Sequence, residues 1–363
     1  MMKISHIQIF WIIVNMELGM TLLMTMTASL QAAKQDAWIS IILSGCLALL
    51  VALIATRLAL LYPGQTLVQF SQTIMGKTLG RIIVMTYLIQ WYTIIPIVLR
   101  QFTDLVRALL LETTPQMPIT LIMIALMVYA TYAGKIQGIG RCSEMLGPLV
   151  IAMVLFVLAT SLPNISIKNI LPVYADSGMM SIGKGMLAPA SYLGHAIEFV
   201  MLTPFLVNAK KGASYAIWGV FFSVLFVLSS MSAVILTMGP EPAGFMWYPF
   251  FEMTRNISIG FIENWDALVV IIWISSVFIK LSIYMFITCY GTAQFLQVKN
   301  WRIMIWLVAP VAFLFSLYPT SVIESTNHYL LNYWVPIVLP VNMIGLPLLM
   351  LIVGVIKKKL NPS

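Results

Sequence analysis

Long apolar stretches alternate with short polar connections along almost the whole chain. The apolar stretches, numbered spans 1 to 10 in chain order, lie near residues 7–30, 38–61, 82–110, 118–134, 145–162, 186–207, 214–239, 265–296, 303–318 and 334–356. Most are close to the roughly 20 residues that an α-helix needs to cross the hydrocarbon core of a bilayer. The pattern therefore predicts an all-α integral membrane protein with about ten transmembrane helices.

The composition supports this prediction. Of the 363 residues, 61% are hydrophobic and only 9% are charged, and the mean hydropathy is +0.97. A soluble domain carries roughly 25% charged residues. No polar stretch is long enough for a separate soluble domain, so we expect one transmembrane domain over residues 1–363. The first apolar run has no small-residue cleavage site, which favours a retained span over a signal peptide.

The net charge of +8 reflects topology. If the N-terminus is cytoplasmic, 13 of the 20 basic residues lie on the inner side. These are Lys3, Arg57, Lys77, Arg81, Lys135, Arg141, Lys210, Lys211, Lys299, Arg302, Lys357, Lys358 and Lys359. Such an excess of cytoplasmic Lys and Arg is the positive-inside pattern. It predicts an even number of spans with both termini in the cytoplasm, and it leaves no reason to expect a nucleic-acid partner.

Two spans contain polar interruptions. Span 1 holds Asn15, Glu17 and Gly19, and span 6 has Gly194 before Glu198 among other glycines and prolines. The two carboxylates stand about half a chain apart. Glycine and proline free backbone groups, which a membrane protein tolerates only around a cavity or a ligand. We therefore expect spans 1 and 6 to be broken helices.

Paired interruptions at corresponding positions of two halves are typical of secondary transporters with a binding site at the membrane midplane. Ten spans divided five plus five fit a LeuT-type inverted repeat. The predicted first repeat covers about 7–162 and the second about 186–318, and helix 10 covers about 334–356.

Charged residues inside the spans indicate a site. A charge near the bilayer centre costs at least about 2.5–3.5 kcal/mol, so it needs a partner, a proton, a water-filled cavity or a ligand. Glu198 is the first candidate for a ligand contact, with His195 on the same helical face. The alternatives are an acid that locks two helices together and a histidine that only packs. For Glu17, ligand binding and a structural ion pair are equally open.

Lys280 stands in the middle of span 8, and Ser276 and Tyr284 share its helical face. A buried lysine needs an acid, and the deep acids are Glu17 and Glu198. Our hypothesis is that Lys280 pairs with one of them and neutralises the site without a sodium ion. The predicted ligand-binding residues are Asn15, Glu17, Gly19, Gly194, His195, Glu198, Lys280 and Tyr284.

Two other charged groups are interpreted as structural ion pairs. Arg100, Asp104 and Arg107 form an i, i+4, i+7 ladder near the outer end of span 3. The alternative for this ladder is an entrance for an anionic group. Arg141 and Glu144, at i and i+3, are typical of a charge pair at a helix start.

Signatures of bond-making chemistry are absent from the sequence. It contains no Walker loop, no HExxH motif, no nucleophile elbow with partners and no cluster of metal ligands. The three histidines His6, His195 and His328 are scattered. We therefore predict a protein that is not an enzyme and that has no cofactor and no metal.

Four segments carry a family resemblance. They are GQTLVQFSQTIMGKTLG (64–80), GKIQGIGRCSEMLGPL (134–149), GHAIEFVMLTPFLVNAKK (194–211) and the run 248–284, which has Arg255, Ile257 to Gly260, Asp266, Trp273, Lys280 and Ser282 in order. Together they resemble the B subunits of bacterial spore germinant receptors, which belong to the amino acid–polyamine–organocation transporter superfamily. The chain departs from the family pattern before Glu198, where a glycine next to the glutamate would be expected.

The resemblance implies a nutrient-sensing subunit in the spore inner membrane. Such a subunit acts with a membrane-bound A subunit and a lipoprotein C subunit. It binds a small nutrient, often an amino acid, between broken helices 1 and 6 and triggers germination. Glu198 matches the glutamate of the family's sixth span. The alternative is a proton-coupled secondary transporter for an amino acid or amine, and a third class is a channel component that depends on partners.

Overall fold

The computed structural model describes residues 2–174, 177–255, 266–319, 321 and 324–360, and these residues are almost entirely helical. Spans 1 to 5 are formed by His6–Met24 with Met26–Ala33, Ala37–Leu61, Lys77–Leu109, Gln116–Tyr129 with the π-helical turn Ala130–Gly134, and Lys135–Ser161. Span 6 is formed by Met179–Leu193 with the short pieces up to Phe205, span 7 by Ala209–Met238 and span 8 by Asp266–Phe295. Span 9 is formed by Trp301–Met304 with Ile305–Ser316, and span 10 by Glu324–His328 with Leu330–Gly345 and Leu346–Leu360. The predicted all-α membrane fold is confirmed.

Short helices connect the spans. They are Lys34–Asp36, Leu67–Met75, Leu162–Asn164, Ile167–Ile170, Pro240–Phe245 and Pro249–Arg255. The family-like run Ile257 to Gly260 lies outside the described residues. Span 5 begins ten residues earlier than predicted, at Lys135, because its polar first turns still bury Ile136 and Ile139 inside the protein.

Seven helical stretches among the described residues are long and apolar enough to cross a membrane. Two of them contain a junction between spans: Met26–Leu61 joins the end of span 1 to span 2, and Gln116–Asn164 joins spans 4 and 5. The chain adopts a positive φ at each junction, 47° at Lys34 and 53° at Lys135. Span 6 is interrupted and span 9 is short, so neither is among the seven stretches. Because one stretch contains both spans 4 and 5, the seven stretches account for eight spans, and spans 6 and 9 complete the ten.

Spans 1 and 8 form the centre of the bundle. Within their most apolar windows, 78% of residues are buried in span 1 and 76% in span 8, against 33% in the stretch that holds spans 4 and 5. Span 1 packs against spans 5, 7 and 8, and span 8 also packs against span 3. Most polar side chains in the described parts of these two spans are therefore buried inside the protein.

Span 1 breaks at a different place from the one predicted. Its helix runs without interruption through Asn15, Glu17 and Gly19 and ends at Met24, and the break lies at Thr25. The Thr21 hydroxyl donates to the Glu17 carbonyl, and the Thr25 hydroxyl donates to the Thr21 carbonyl. Threonine side chains that bond to the carbonyl four residues earlier tend to bend a helix. The interruption therefore follows the hydroxyl groups rather than the carboxylate.

Span 6 breaks where the sequence predicts. The helix Met179–Leu193 gives way to a 3₁₀ stretch at Gly194–Glu198, then to the four-residue helix Phe199–Leu202 and a 3₁₀ turn at Thr203–Phe205. A Cβ atom on Gly194 would lie 2.6 Å from the Met343 sulfur. Gly194 therefore allows span 10 to approach the break closely.

The start of the chain is joined to the end of span 6. Ile4 and Leu206 form an isolated parallel bridge. The Ile4 N–H donates to the Phe205 carbonyl at 2.7 Å, and the Val207 N–H donates to the Ile4 carbonyl at 3.1 Å. The Lys3 ammonium adds a bond to the Pro204 carbonyl at 3.0 Å. The two broken spans are thus tied together at one end of the bundle.

Candidate functional site

The Glu198 carboxylate is enclosed by hydrogen-bond donors. Trp91 Nε1 donates to Oε2 at 2.8 Å, Gln90 Nε2 donates to Oε1 at 3.1 Å, and the Tyr284 hydroxyl donates to Oε1 at 3.4 Å. All four side chains are fully buried. The 3₁₀ stretch of span 6 therefore presents Glu198 to spans 3 and 8, and both carboxylate oxygens have partners.

The same network extends to span 10. Asn342 Nδ2 donates to Gln90 Oε1 at 2.8 Å, and the Tyr87 hydroxyl donates to the Asn342 carbonyl at 2.6 Å. The ring Nδ1 of His195 shares a hydrogen bond with the Tyr284 hydroxyl, and the His195 ring stacks on Trp334 with centroids 5.3 Å apart. These contacts favour the interpretation of Glu198 as an acid that locks helices together.

Glu17 and Lys280 have the opposite environment. Both residues are fully buried. Neither Glu17 oxygen accepts a hydrogen bond of normal geometry, and the Lys280 ammonium has no hydrogen-bond partner in the described part of the chain. The Lys280 nitrogen lies 5.1 Å from the centre of the Tyr192 ring. The structure thus buries an acid and a base that are both incompletely satisfied.

The hypothesis that Lys280 pairs with a deep acid is not met by a direct contact. Over the described residues, the nitrogen of Lys280 has no carboxylate oxygen within 4.0 Å. Glu17 and, more weakly, Glu198 still attract Lys280 through space. The ammonium points at the face of Tyr192, which offers a cation–π contact instead of a carboxylate. Glu17 and Lys280 therefore stand more than 4.0 Å apart at their charged atoms, and we call this separation the gap.

The break in span 6 adds a backbone donor to this region. The N–H of Ala196, inside the 3₁₀ stretch, lies beside the Glu17 carboxylate. It does not complete a hydrogen bond of ordinary distance and angle. Among the described residues, His195 Nε2 also has no hydrogen-bond partner, and its ring lies close enough to Lys280 for the two groups to interact electrostatically. Other buried polar atoms of the described residues are unpaired as well, but this cluster combines an acid, a base and an imidazole, which makes it a candidate ligand site.

Three of the predicted ligand-binding residues instead serve packing. Asn15 Nδ2 donates to the Trp11 carbonyl at 2.9 Å, and its side chain faces span 5. The Gly19 carbonyl accepts from Trp273 Nε1 at 2.9 Å, and a Cβ on Gly19 would lie 2.5 Å from Ser276 Oγ. Gly194 makes room for span 10. The structure therefore brings together Glu17, His195, Glu198, Lys280 and Tyr284, whereas Asn15 and Gly19 contact spans 5 and 8 and Gly194 lies against span 10.

The predicted structural ion pairs are formed only in part. Arg100 Nε lies 2.8 Å from Asp104 Oδ2, and Arg100 NH1 also donates to the Pro319 carbonyl. Arg107 does not pair within 4.0 Å, and its Nε has no hydrogen-bond partner in the described structure. The i, i+4 spacing therefore allows Arg100 and Asp104 to pair, whereas Arg107 takes no part in the ion pair.

Arg141 and Glu144 do not pair. Both side chains are exposed, and Glu144 Oε2 instead accepts from Gln8 Nε2 at 3.2 Å. An exposed i, i+3 ion pair contributes only a few tenths of a kcal/mol, so a neighbouring amide competes with it readily.

Several residues of the network were missed from the sequence. Gln90, Trp91 and Asn342 contact Glu198 directly or through one bond, and Gln101 Nε2 donates to the Tyr192 hydroxyl at 3.1 Å. The available signal is an amide inside an apolar run, as at Gln90, Gln101 and Asn342. Among the described residues, no group of three or more His, Cys, Asp or Glu side chains could hold a metal ion.

The fold is that of LeuT-type secondary transporters. One similar solved structure is Mhp1, a transporter of the nucleobase-cation-symport-1 family in a closed conformation with bromovinylhydantoin bound. It has a TM-score of 0.63 at 13% identity, and the match covers 90% of this chain and 75% of that chain. Another is a manganese transporter of Eremococcus coleocola, with a TM-score of 0.58 at 13% identity and coverage of 96% and 76%. At this identity the likeness shows the fold alone.

The sequence comparisons identify the family. A family model described as spore germination protein, the spore permease family, matches residues 3–324. The chain therefore belongs to the spore permease family of germination proteins, a class of permeases and receptors rather than of enzymes. This confirms the resemblance found in the sequence.

Three curated relatives illustrate the match. Spore germination protein YndE of Bacillus subtilis (strain 168) is 27% identical over 323 residues, which is 88% of each chain. Spore germination protein KB of the same organism is 24% identical over 303 residues, covering 82% of this chain and 80% of the relative. Spore germination protein XB of Bacillus anthracis is 28% identical over 257 residues, 69% of each chain.

Proposed function

We propose that this chain is the nutrient-sensing membrane subunit of a spore germinant receptor, and that it binds a small zwitterionic nutrient, an amino acid, among spans 1, 6 and 8. The observation that carries the proposal is the pair of buried, incompletely satisfied charges at Glu17 and Lys280. Family membership supports the germination role, and the transporter fold supports an interior ligand site.

The charges of an amino acid complement those of this region. Its ammonium group would meet Glu17, and its carboxylate would meet Lys280. Hydrogen bonds to charged groups contribute about 1.5–3 kcal/mol each, and unpaired buried charges cost several kcal/mol. A zwitterion in the gap would therefore form favourable charged contacts with both Glu17 and Lys280. It would do so without introducing a net charge into the protein interior.

The Glu198 network would then serve as the frame of the site. Because it joins spans 3, 6, 8 and 10, it holds the 3₁₀ stretch that carries His195 and Ala196. A ligand changes the conformation of a protein only through its different affinities for two states. In our proposal the occupied gap favours the signalling state, which membrane-bound A and lipoprotein C subunits relay in the spore inner membrane.

Access to the gap would come from the end of the bundle where span 1 breaks. A cavity of about 210 Å³ lies there, lined by Met24, Thr27, Ala28 and Gln31 of span 1, by the 245–248 connection and by the start of span 10. In the proposed topology, with both termini in the cytoplasm, this cavity faces away from the cytoplasm.

Germination of spores tests this proposal. Spores that lack the chain are exposed to a panel of amino acids, sugars and nucleosides, and dipicolinate release is measured. We expect loss of the response to one nutrient, restored by the wild-type chain and by the control Ser223→Ala, a buried polar residue of span 7 outside the site. Glu17→Gln and Lys280→Met should leave the response largely unrestored at the nutrient concentration that gives half-maximal release with the wild-type chain. Restoration by both variants would refute the proposed site.

The second candidate is a proton-coupled transporter of amino acids or amines. The similarity of the fold to Mhp1 and to a manganese transporter favours it, as do the ionisable groups inside the spans. Uptake of a labelled amino acid by the purified chain alone, in proteoliposomes with a pH gradient, would support transport. A response that requires partner subunits, without such uptake, would support the receptor.

A further inference from the structure

A second cavity, of about 640 Å³, opens at the end of the bundle that holds the N-terminus. Lys135, Lys299 and Arg302 line it, together with Asn300 and Trp301. None of the lining residues is acidic. Within the described ranges, none of the three basic side chains forms an ion pair. The described lining of the cavity therefore concentrates positive charge without supplying a counterion.

Two separate parts of the chain build this cavity. Lys135 occupies the junction of spans 4 and 5, where its φ is 53°. Lys299 and Arg302 belong to the connection into span 9, and the Asn300 side chain accepts a bond from the Arg302 N–H at 3.2 Å. The Arg302 guanidinium also lies 4.9 Å from the centre of the Tyr132 ring. The two connections thus place their positive charges on one opening.

The positive-inside pattern explains why basic residues occur at this end of the bundle. It does not require three of them to face one cavity. The neighbouring surface of spans 4 and 9 carries exposed aromatic side chains, Tyr129 at 73%, Tyr132 at 50% and Trp306 at 79% exposure. Tyr and Trp are enriched at the level of lipid headgroups. The cavity is therefore continuous with a surface that fits the membrane interface.

We propose that this cavity binds the headgroup of an anionic phospholipid. Arg and Lys are the side chains that proteins use to hold phosphate oxygens. A basic residue near an anionic membrane surface contributes about 1 kcal/mol, which is roughly a fivefold preference per residue. The exposed aromatic surface beside the cavity favours a lipid over a soluble acidic partner.

The bound headgroup would contact span 8 through one aromatic cluster. Trp301 lines the cavity and packs against Phe286 and Tyr290 of span 8, with ring centroids 5.3 and 6.1 Å apart. Phe205, at the end of span 6, packs against the same two rings. A lipid held by Trp301 and its basic neighbours therefore steadies the ends of the two spans that carry Lys280 and Glu198.

Lipid retention by the purified full-length chain tests the proposal. The protein is purified in a mild detergent with equal amounts of phosphatidylglycerol and phosphatidylcholine, and the retained lipids are quantified by mass spectrometry. The site variant is Lys135→Gln with Lys299→Gln and Arg302→Gln. Its matched control, Arg57→Gln with Lys210→Gln and Lys211→Gln, removes the same charges from exposed positions of the same end outside the cavity.

We expect the control to retain the wild-type ratio of phosphatidylglycerol to phosphatidylcholine. In the site variant this ratio should be at least about tenfold lower than in the wild type. Equal losses in both variants would show a general effect of surface charge and would overturn the proposal. An unchanged ratio in the site variant would overturn it as well.

A second measurement covers the case in which the site variant does not fold. The wild-type chain is titrated separately with phosphatidylglycerol and with inorganic phosphate, and its thermal unfolding is followed. The proposal requires that phosphatidylglycerol raises the midpoint and that inorganic phosphate does not. An equal rise with inorganic phosphate, or no rise with the lipid, would refute a lipid site.

Discussion

The two buried carboxylates of the broken spans, Glu17 and Glu198, differ in almost every contact. Both are fully buried, and they occupy the two halves of the chain. Glu198 accepts bonds from Gln90, Trp91 and Tyr284, whereas neither oxygen of Glu17 accepts a normal hydrogen bond from any residue that the structure describes. Depth and chemical type are the same, so the difference comes from the neighbours.

The comparison separates stability from binding. A buried polar group that is left without a partner costs about 1–3 kcal/mol, and a charged one costs more. The Glu198 network removes that cost within the protein. The region of Glu17 and Lys280 keeps it, which is what is expected where a ligand completes the contacts. Functional sites are commonly the places where a protein gives up local stability.

The largest loss of stability should come from removing the Glu198 carboxylate, whose hydrogen bonds are complete. Glu198→Ala leaves the donors of Gln90, Trp91 and Tyr284 without an acceptor, so we expect a loss of roughly 3–5 kcal/mol in the free energy of unfolding. Thermal unfolding of the purified chain measures it. Glu17→Gln is the control and should change stability by less than about 1 kcal/mol. Equal destabilisation by both changes would show that the neighbours of Glu198 do not stabilise it more than those of Glu17.

The next largest effect concerns the nutrient response after removal of the Lys280 charge. Lys280→Met removes a buried charge that has no hydrogen-bond partner in the described structure, so stability should stay the same or rise by about 1 kcal/mol. Loss of a bond to a charged ligand group should raise the nutrient concentration for half-maximal dipicolinate release about 10- to 100-fold. A variant that is less stable but responds normally would assign Lys280 to the framework.

A smaller effect concerns the close contact of spans 1 and 8. Gly19→Ala would place a Cβ 2.5 Å from Ser276 Oγ, and we expect a loss of about 1–3 kcal/mol in stability. Gly183→Ala is the matched control, because Gly183 is also helical and has no atom within 4 Å of an added Cβ. That control should gain about 0.5–1 kcal/mol. Thermal unfolding of both variants decides whether packing explains Gly19.

The smallest effect concerns a single backbone contact. Ser276 Oγ donates to the Asn15 carbonyl at 2.8 Å, so Ser276→Ala should cost about 0.5–1.5 kcal/mol and leave the nutrient response unchanged. Ser275→Ala is the neighbouring control, because the Ser275 hydroxyl donates to the Ile271 carbonyl of its own helix. A changed nutrient response in Ser276→Ala alone would extend the ligand site to Ser276.

The fold could be predicted because its signal is local. An apolar run of about 20 residues identifies a membrane helix without knowledge of any contact, and the interruption of span 6 follows from the residues around Gly194. The break in span 1 could not be located in the same way. It depends on hydroxyl-to-carbonyl bonds at Thr21 and Thr25, and many helices accommodate such residues without breaking.

The candidate site was only partly predictable for a different reason. Glu17, Glu198 and Lys280 stand out because a charge is rare in an apolar span. Which of them is satisfied depends on Gln90 and Trp91, more than a hundred residues away from Glu198 in sequence. The sequence shows that a charge needs a partner, and only the packing of spans 3, 6 and 8 shows which charge has one.

The bridge between Ile4 and Leu206 has a mechanical consequence. Two backbone bonds and the Lys3 contact fasten the beginning of span 1 to the end of span 6, so these ends move as one body. Any separation of the two spans must then be a hinge motion about these joined ends, which themselves move little. The displacement of span 1 relative to span 6 would be greatest beyond Thr25, so the bridge determines the direction in which the two spans can separate.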